Sequence, residues 1–142
     1  MVDAAHVIGV SKRVVEHWLQ RCVTLPGVQA GRGERLTFAD HDLCFLVLMV
    51  QINRFGASAK VANNLAQTVF EMARAEPTDI DVLAAWRGKY IRVIHTTTDW
   101  EITLFASGTW APTNLLSLVV DPVLLFSDVL HRADAIRRSK VA

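Results

Sequence analysis

Several side chains in this sequence have types and spacing that invite a chemical reading. The His41-Asp42 dipeptide has the order of a metal-hydrolase pair, but no companion ligands stand at spacings that complete a site. Asp40 and Asp42 instead read as the acidic first turn of a helix, where a carboxylate offsets the helix dipole. Cys22 and Cys44 lack metal-site spacing. They read as buried thiols in a reducing cytoplasm. His95, Thr96, Thr97, Thr98 and Asp99 form a polar cluster best read as a hairpin tip. Tyr90, Trp100 and Trp110 read as packing side chains of a small sheet rather than as a ligand-stacking set. There is no phosphate-cradling glycine motif at a strand–helix junction, no nucleophile elbow and no metal-ligand cluster. The expectation is therefore a protein that is not an enzyme and needs no cofactor or metal.

What remains is a set of cations: Lys12, Arg13 and His17, then Arg32 and Arg35, then Lys60. Such groups pair with phosphate oxygens and, from a helix, reach base edges. Residues 10–21, VSKRVVEHWLQR, must carry the first three. Val14, Val15, Trp18 and Leu19 make one apolar stripe at the helical period, which leaves Lys12, Arg13 and His17 on the other faces. Ser11 is placed to cap that helix, and Gly9 suits a left-handed turn from a short apolar helix before it. Trp18 reads as core. Residues 26–35 follow a Leu25-Pro26-Gly27 exit and are rich in Gly and Arg. Short apolar ends around a basic tip predict a two-stranded wing that presents Arg32 and Arg35 to phosphates or a minor groove. This is the pattern of a helix-turn-helix that enters the major groove by its second helix.

Thr37 is placed to cap a long helix whose run LCFLVLMVQI is apolar nearly all round. A helix apolar on every side is buried on every side. One face is expected on Val15, Trp18 and Leu19, the other on the C-terminal segment or a second subunit. Arg54-Phe55-Gly56 ends it. Ser58 caps a fourth helix to about residue 74, with Val61, Leu65, Val69 and Met72 as its core stripe and Lys60 within reach of a phosphate near the wing. Five elements thus fall in order: GVSKRVVEHW, a Leu-Pro exit, a Gly/Arg wing, LTFADHDL and INRFGASAKVA. In that order and spacing, residues 1–75 resemble a MerR-type winged helix-turn-helix domain. The resemblance implies double-stranded DNA as the ligand, with Ser11, Lys12, Arg13, His17, Arg32, Arg35 and Lys60 as contacts. The family pattern has Arg where this chain has Glu16, and acids at Leu19 and Gln20.

Residues 76–142 carry no such resemblance. They predict a short helix over 79–88 carrying Ile80, Leu83, Ala84 and Trp86. A hairpin of 89–94 and 100–105 follows, then a strand over 115–120. Asp121-Pro122 opens a last helix packing by Leu124, Leu125, Val129, Leu130, Ala133 and Ile136. The fold class expected is α+β, mainly α: a winged helix-turn-helix domain over 1–75, then a small helix/β-hairpin/helix module over 76–142 for dimerisation or regulation.

Charge is asymmetric. Residues 1–75 hold eight Lys/Arg against six Asp/Glu, residues 76–136 four against eight, and the last six residues three against none. The asymmetry is small but has the sign a phosphate ligand needs; with a net charge of +1 there is no whole-protein basic signature, and local charge is what binds phosphate. A hydrophobic content of 51% is high for a DNA-binding domain of this size and points to surface buried on a partner, most simply a second copy. The start lacks a basic region followed by a long apolar run, so no signal peptide is expected. The reading is a cytoplasmic, nucleoid-associated homodimeric regulator of bacterial or phage type, whose C-terminal module has an unidentified effector or protein partner if any. Phage-type architectural binders (excisionases, packaging subunits) and a winged-helix protein adaptor without DNA are the alternatives.

Overall fold

The computed structural model describes residues 2–21, 38–106 and 116–141. The chain is α+β and mostly helical, with one three-stranded antiparallel sheet. Helix α1 (Val2–Ile8) turns into α2 (Lys12–Arg21), and the long α3 (Asp40–Phe55) and α4 (Ala59–Ala73) follow. Strands β1 (Lys89–His95), β2 (Trp100–Ala106) and β3 (Ser117–Val120) lead to the terminal α5 (Pro122–Val141).

Helix α3 is the axis of the core. Every residue from His41 to Val50 is buried, as is Ile52. Its own chain supplies the cover: α1, α4 and α5 all pack on it. The C-terminal segment therefore takes up the face that the sequence left open between that segment and a second subunit. Thr37 lies outside the described residues. The cap position before Asp40 is held by Ala39 rather than by Thr37, and the Ala39 amide donates to the Asp42 carboxylate at 3.2 Å. Asp42 is fully buried, and its place as a capping acid matches the reading of the His41-Asp42 pair. The Ser58 hydroxyl caps α4 by accepting from the Val61 amide at 3.3 Å.

Three expectations need correction. First, the buried stripe of α4 is Ala62, Leu65, Ala66, Val69, Phe70 and Ala73, while Met72 is 48% exposed. Packing on both α3 and β2 selects the small residues and Phe70 over Met72. Second, residues 79–88 form only one 3-10 turn, Ala84–Trp86. The Asp79 carboxylate accepts from the Glu76 amide, and the Asp81 carboxylate from the Leu83 amide, each at 3.0 Å. Such local bonds compete with a helix ladder. Third, α5 buries Phe126, Val129 and Ala133, while Leu124 is 70% exposed. Phe126 was absent from the expected apolar set.

The sheet order is β2-β1-β3, so β1 is central, and the β1–β2 hairpin closes at His95 opposite Trp100. Both strands run one residue beyond the span expected. Ile91 and Val93 are fully buried. An aromatic cluster joins the 3-10 turn to α3, α4 and α5. Phe70 lies edge-on to Phe45 (5.2 Å), His41 (5.2 Å) and Trp86 (4.8 Å), and Trp86 meets Phe126 at 5.3 Å. One hydrophobic cluster thus holds residues from both sides of position 75.

Cys44 is in that core, and the structure describes it as a free thiol. Burial, with Asp40 close by, pushes its pKa from 9.0 up to about 12. The native thiol therefore keeps a proton that the unfolded chain releases above pH 9. The resulting stabilisation is fully present below pH 9 and is lost as pH rises toward 12. In denaturant titrations at pH 8 and pH 11, wild type is expected to lose more stability than Cys44→Ala. Equal losses in the two proteins would contradict this assignment.

Candidate nucleic-acid interface

The geometry begins at the turn between α1 and α2. Gly9 has φ +79°, a conformation that costs a side-chain-bearing residue about 1–2 kcal/mol. The Gly9 and Val10 amides both donate to the Ala5 carbonyl, at 3.0 and 3.1 Å, which closes α1. The Ser11 hydroxyl then accepts from the Val14 amide at 3.3 Å and caps α2. The Gly9 turn and Ser11 cap are where the sequence placed them.

Helix α2 divides sharply. Val15 (0% exposed) and Trp18 (4%) anchor it in the core, so Trp18 is a packing residue. Ser11, Lys12, Arg13 and His17 are exposed. These four therefore share one short element with its inner face fixed. Lys60 is exposed in the first turn of α4, a helix that packs on α3 and β2. Arg32, Arg35 and the rest of the expected wing lie outside the described residues.

Glu16 modifies the cationic face. Its carboxylate lies 3.7 Å from the Lys12 ammonium, and both side chains are about half exposed. An exposed i,i+4 pair of this kind is worth about 0.2–1 kcal/mol, so Lys12 leaves it readily for a phosphate. Glu16→Gln is expected to tighten duplex binding by up to roughly fivefold, read by fluorescence anisotropy. Weaker binding would mean that Glu16 itself contacts the ligand.

Sequence reasoning missed one cation. Arg54, read there only as part of the end of α3, donates from Nη2 to the Gly9 carbonyl at 2.9 Å. A contact spanning 45 positions has no local signal. Arg132 of α5 approaches the same region more loosely, with Nη1 3.5 Å from the Val7 carbonyl, while its Nη2 pairs with Asp128 at 2.7 Å. At the basic C-terminal end, Arg137 is held by Asp40 (3.0 Å) and Asp134 (3.2 Å). It ties α5 to the start of α3, and Arg138 is exposed beside it.

Other candidates do not assemble into a reactive site. His41 is buried edge-on to Phe70, with Nδ1 3.9 Å from the Asp42 carboxylate. Its surroundings are those of a core residue. His95 stacks on Trp100 at 4.1 Å, and the Thr96 amide and hydroxyl both donate to the Asp99 carbonyl, which makes a self-contained polar hairpin tip. Among the described residues, no group of three or more His, Cys, Asp or Glu is arranged to hold a metal ion. No described helix is long and apolar enough to cross a membrane. A shallow groove of about 430 Å³ lies between β3 and the start of α5, lined by Leu118, Val119, Leu124 and Leu125 with Asp121 and Asp128. No protein-family model matches the chain, and no curated protein matches it.

Proposed function

We propose that this protein binds double-stranded DNA through α2, as a homodimeric transcriptional regulator of bacterial or phage type acting in the cytoplasm on the nucleoid. The observation that carries the reading is the division of α2. Val15 and Trp18 hold it by one face, and a glycine turn and a serine cap fix where it starts. Ser11, Lys12, Arg13 and His17 are left outward. A helix presented this way suits a major groove. The MerR-type likeness of residues 1–75 supplies the winged arrangement, with Arg32 and Arg35 on the wing and Lys60 as a phosphate contact near it. Two-fold pairing gives half-sites about 34–36 Å apart on a palindrome.

The test is an anisotropy titration of the purified protein against a randomised duplex pool and against the DNA upstream of its own gene. Wild type is measured beside Arg13→Ala and Arg32→Ala. Salt-sensitive binding weakened by both substitutions supports helix and wing together, and preference for one duplex supports regulation. No binding at 50 mM salt would remove the DNA reading.

A further inference from the structure

We infer that Arg54 is a phosphate-contacting residue of the same interface, supplied by the end of α3 rather than by the helix-turn-helix itself; this rests on the DNA reading above. Three observations carry it. Arg54 is exposed, yet its guanidinium is fixed, because Nη2 donates to the Gly9 carbonyl at 2.9 Å. Among the described residues no carboxylate forms a salt bridge with it, whereas Lys12, Arg87, Arg132 and Arg137 are each paired with at least one. Its position is also set by the turn that starts α2. Gly9 and Lys12 are three residues apart, so their Cα atoms are separated by at most about 11 Å.

The chemistry follows from the shape of the group. A guanidinium has five N–H donors in a planar fork. One hydrogen bond to Gly9 orients the plane and leaves the others to face a phosphodiester. Holding the fork in place beforehand removes part of the ordering cost that a free arginine pays on binding. Phosphates on one strand recur every 3.4 Å of helix axis. The Arg54 fork is anchored at the carbonyl of Gly9, three residues before Lys12, so it stands at the end of α2 that starts the helix and can serve the same phosphate backbone as Lys12 and Arg13. Arg54 thereby fixes the register of α2 along the groove, without reading sequence itself.

The test compares wild type, Arg54→Ala and Arg54→Lys in duplex titrations between 50 and 200 mM salt, with Arg13→Ala as reference and thermal melts of each protein. Arg54→Ala is expected to weaken specific and random duplexes equally. It should also lower the slope of log K against log salt by about 1 per bound protomer. Over that fourfold salt range the variant then loses roughly 3.5-fold less affinity per missing contact than wild type. Arg54→Lys restores the slope, because it keeps the charge. Weakened binding with an unchanged slope in both variants would mean that Arg54 only shapes the Gly9 turn, and would overturn the proposal. So would wild-type affinity in Arg54→Ala while Arg13→Ala is impaired, an outcome that leaves the DNA reading standing. Failure of wild type to bind any duplex at 50 mM salt would overturn both.

Discussion

Raising salt from 50 to 200 mM is expected to weaken duplex binding by roughly 10³–10⁵. If Lys12, Arg13, Arg32 and Arg35 each neutralise one phosphate, a dimer makes about eight ionic contacts. Each releases condensed counterions, and the slope of log K against log salt is about −0.9 per contact. Arg54 in both subunits would steepen that slope by about 2 more. The effect does not need a strongly basic protein. The net charge of +1 hides a local difference: residues 1–75 hold eight Lys/Arg against six Asp/Glu, and residues 76–136 four against eight. Arg13→Ala should flatten the slope and weaken all duplexes, whereas a residue reading base edges would cost affinity for the preferred duplex alone. Equal affinity at both salt concentrations would sink the ionic mechanism.

Phe126→Ala is expected to cost about 3–5 kcal/mol, because it opens a cavity in a close-packed core. The ring is fully buried and lies 5.3 Å from Trp86 and 6.0 Å from Phe70. Total stabilities of natural domains are about 5–15 kcal/mol, so one truncation removes a large share. A urea titration should show a much lower midpoint with an unchanged m-value. The melting temperature should fall on the order of 10–20 °C. Leu124→Ala, two positions away and 70% exposed, is the control and should stay within about 0.5 kcal/mol of wild type. If Phe126→Ala cost no more than Leu124→Ala, α5 would not share the core of α3 and α4. The same comparison reads whether residues 76–142 unfold with residues 1–75. One transition for both is expected, since Phe70, Trp86 and Phe126 sit in a single cluster.

Much of the local structure was legible in the sequence, because it depends on neighbours a few positions apart. Gly9 and Ser11 mark the turn and start of α2 by backbone preference and a hydroxyl acceptor. The Val15–Trp18 spacing sets its buried face. The continuous apolar run of α3 announces burial on every side, and the alternation in β1 and β2 announces a hairpin. The exposed set Ser11, Lys12, Arg13 and His17 follows from those facts alone. Tertiary structure decided what distant segments settle between them. It chose Phe70 over Met72 as the buried side chain of α4, because Phe70 meets Phe45 of α3, Trp86 and Phe126 of α5. It placed Phe126 against Trp86, so that α5 covers α3 within one chain. It brought Arg54 to the carbonyl of Gly9, because α3 runs back to the first turn of the chain. A hydrogen bond across 45 positions leaves no periodicity to read; only the packing of α1 on α3 creates it.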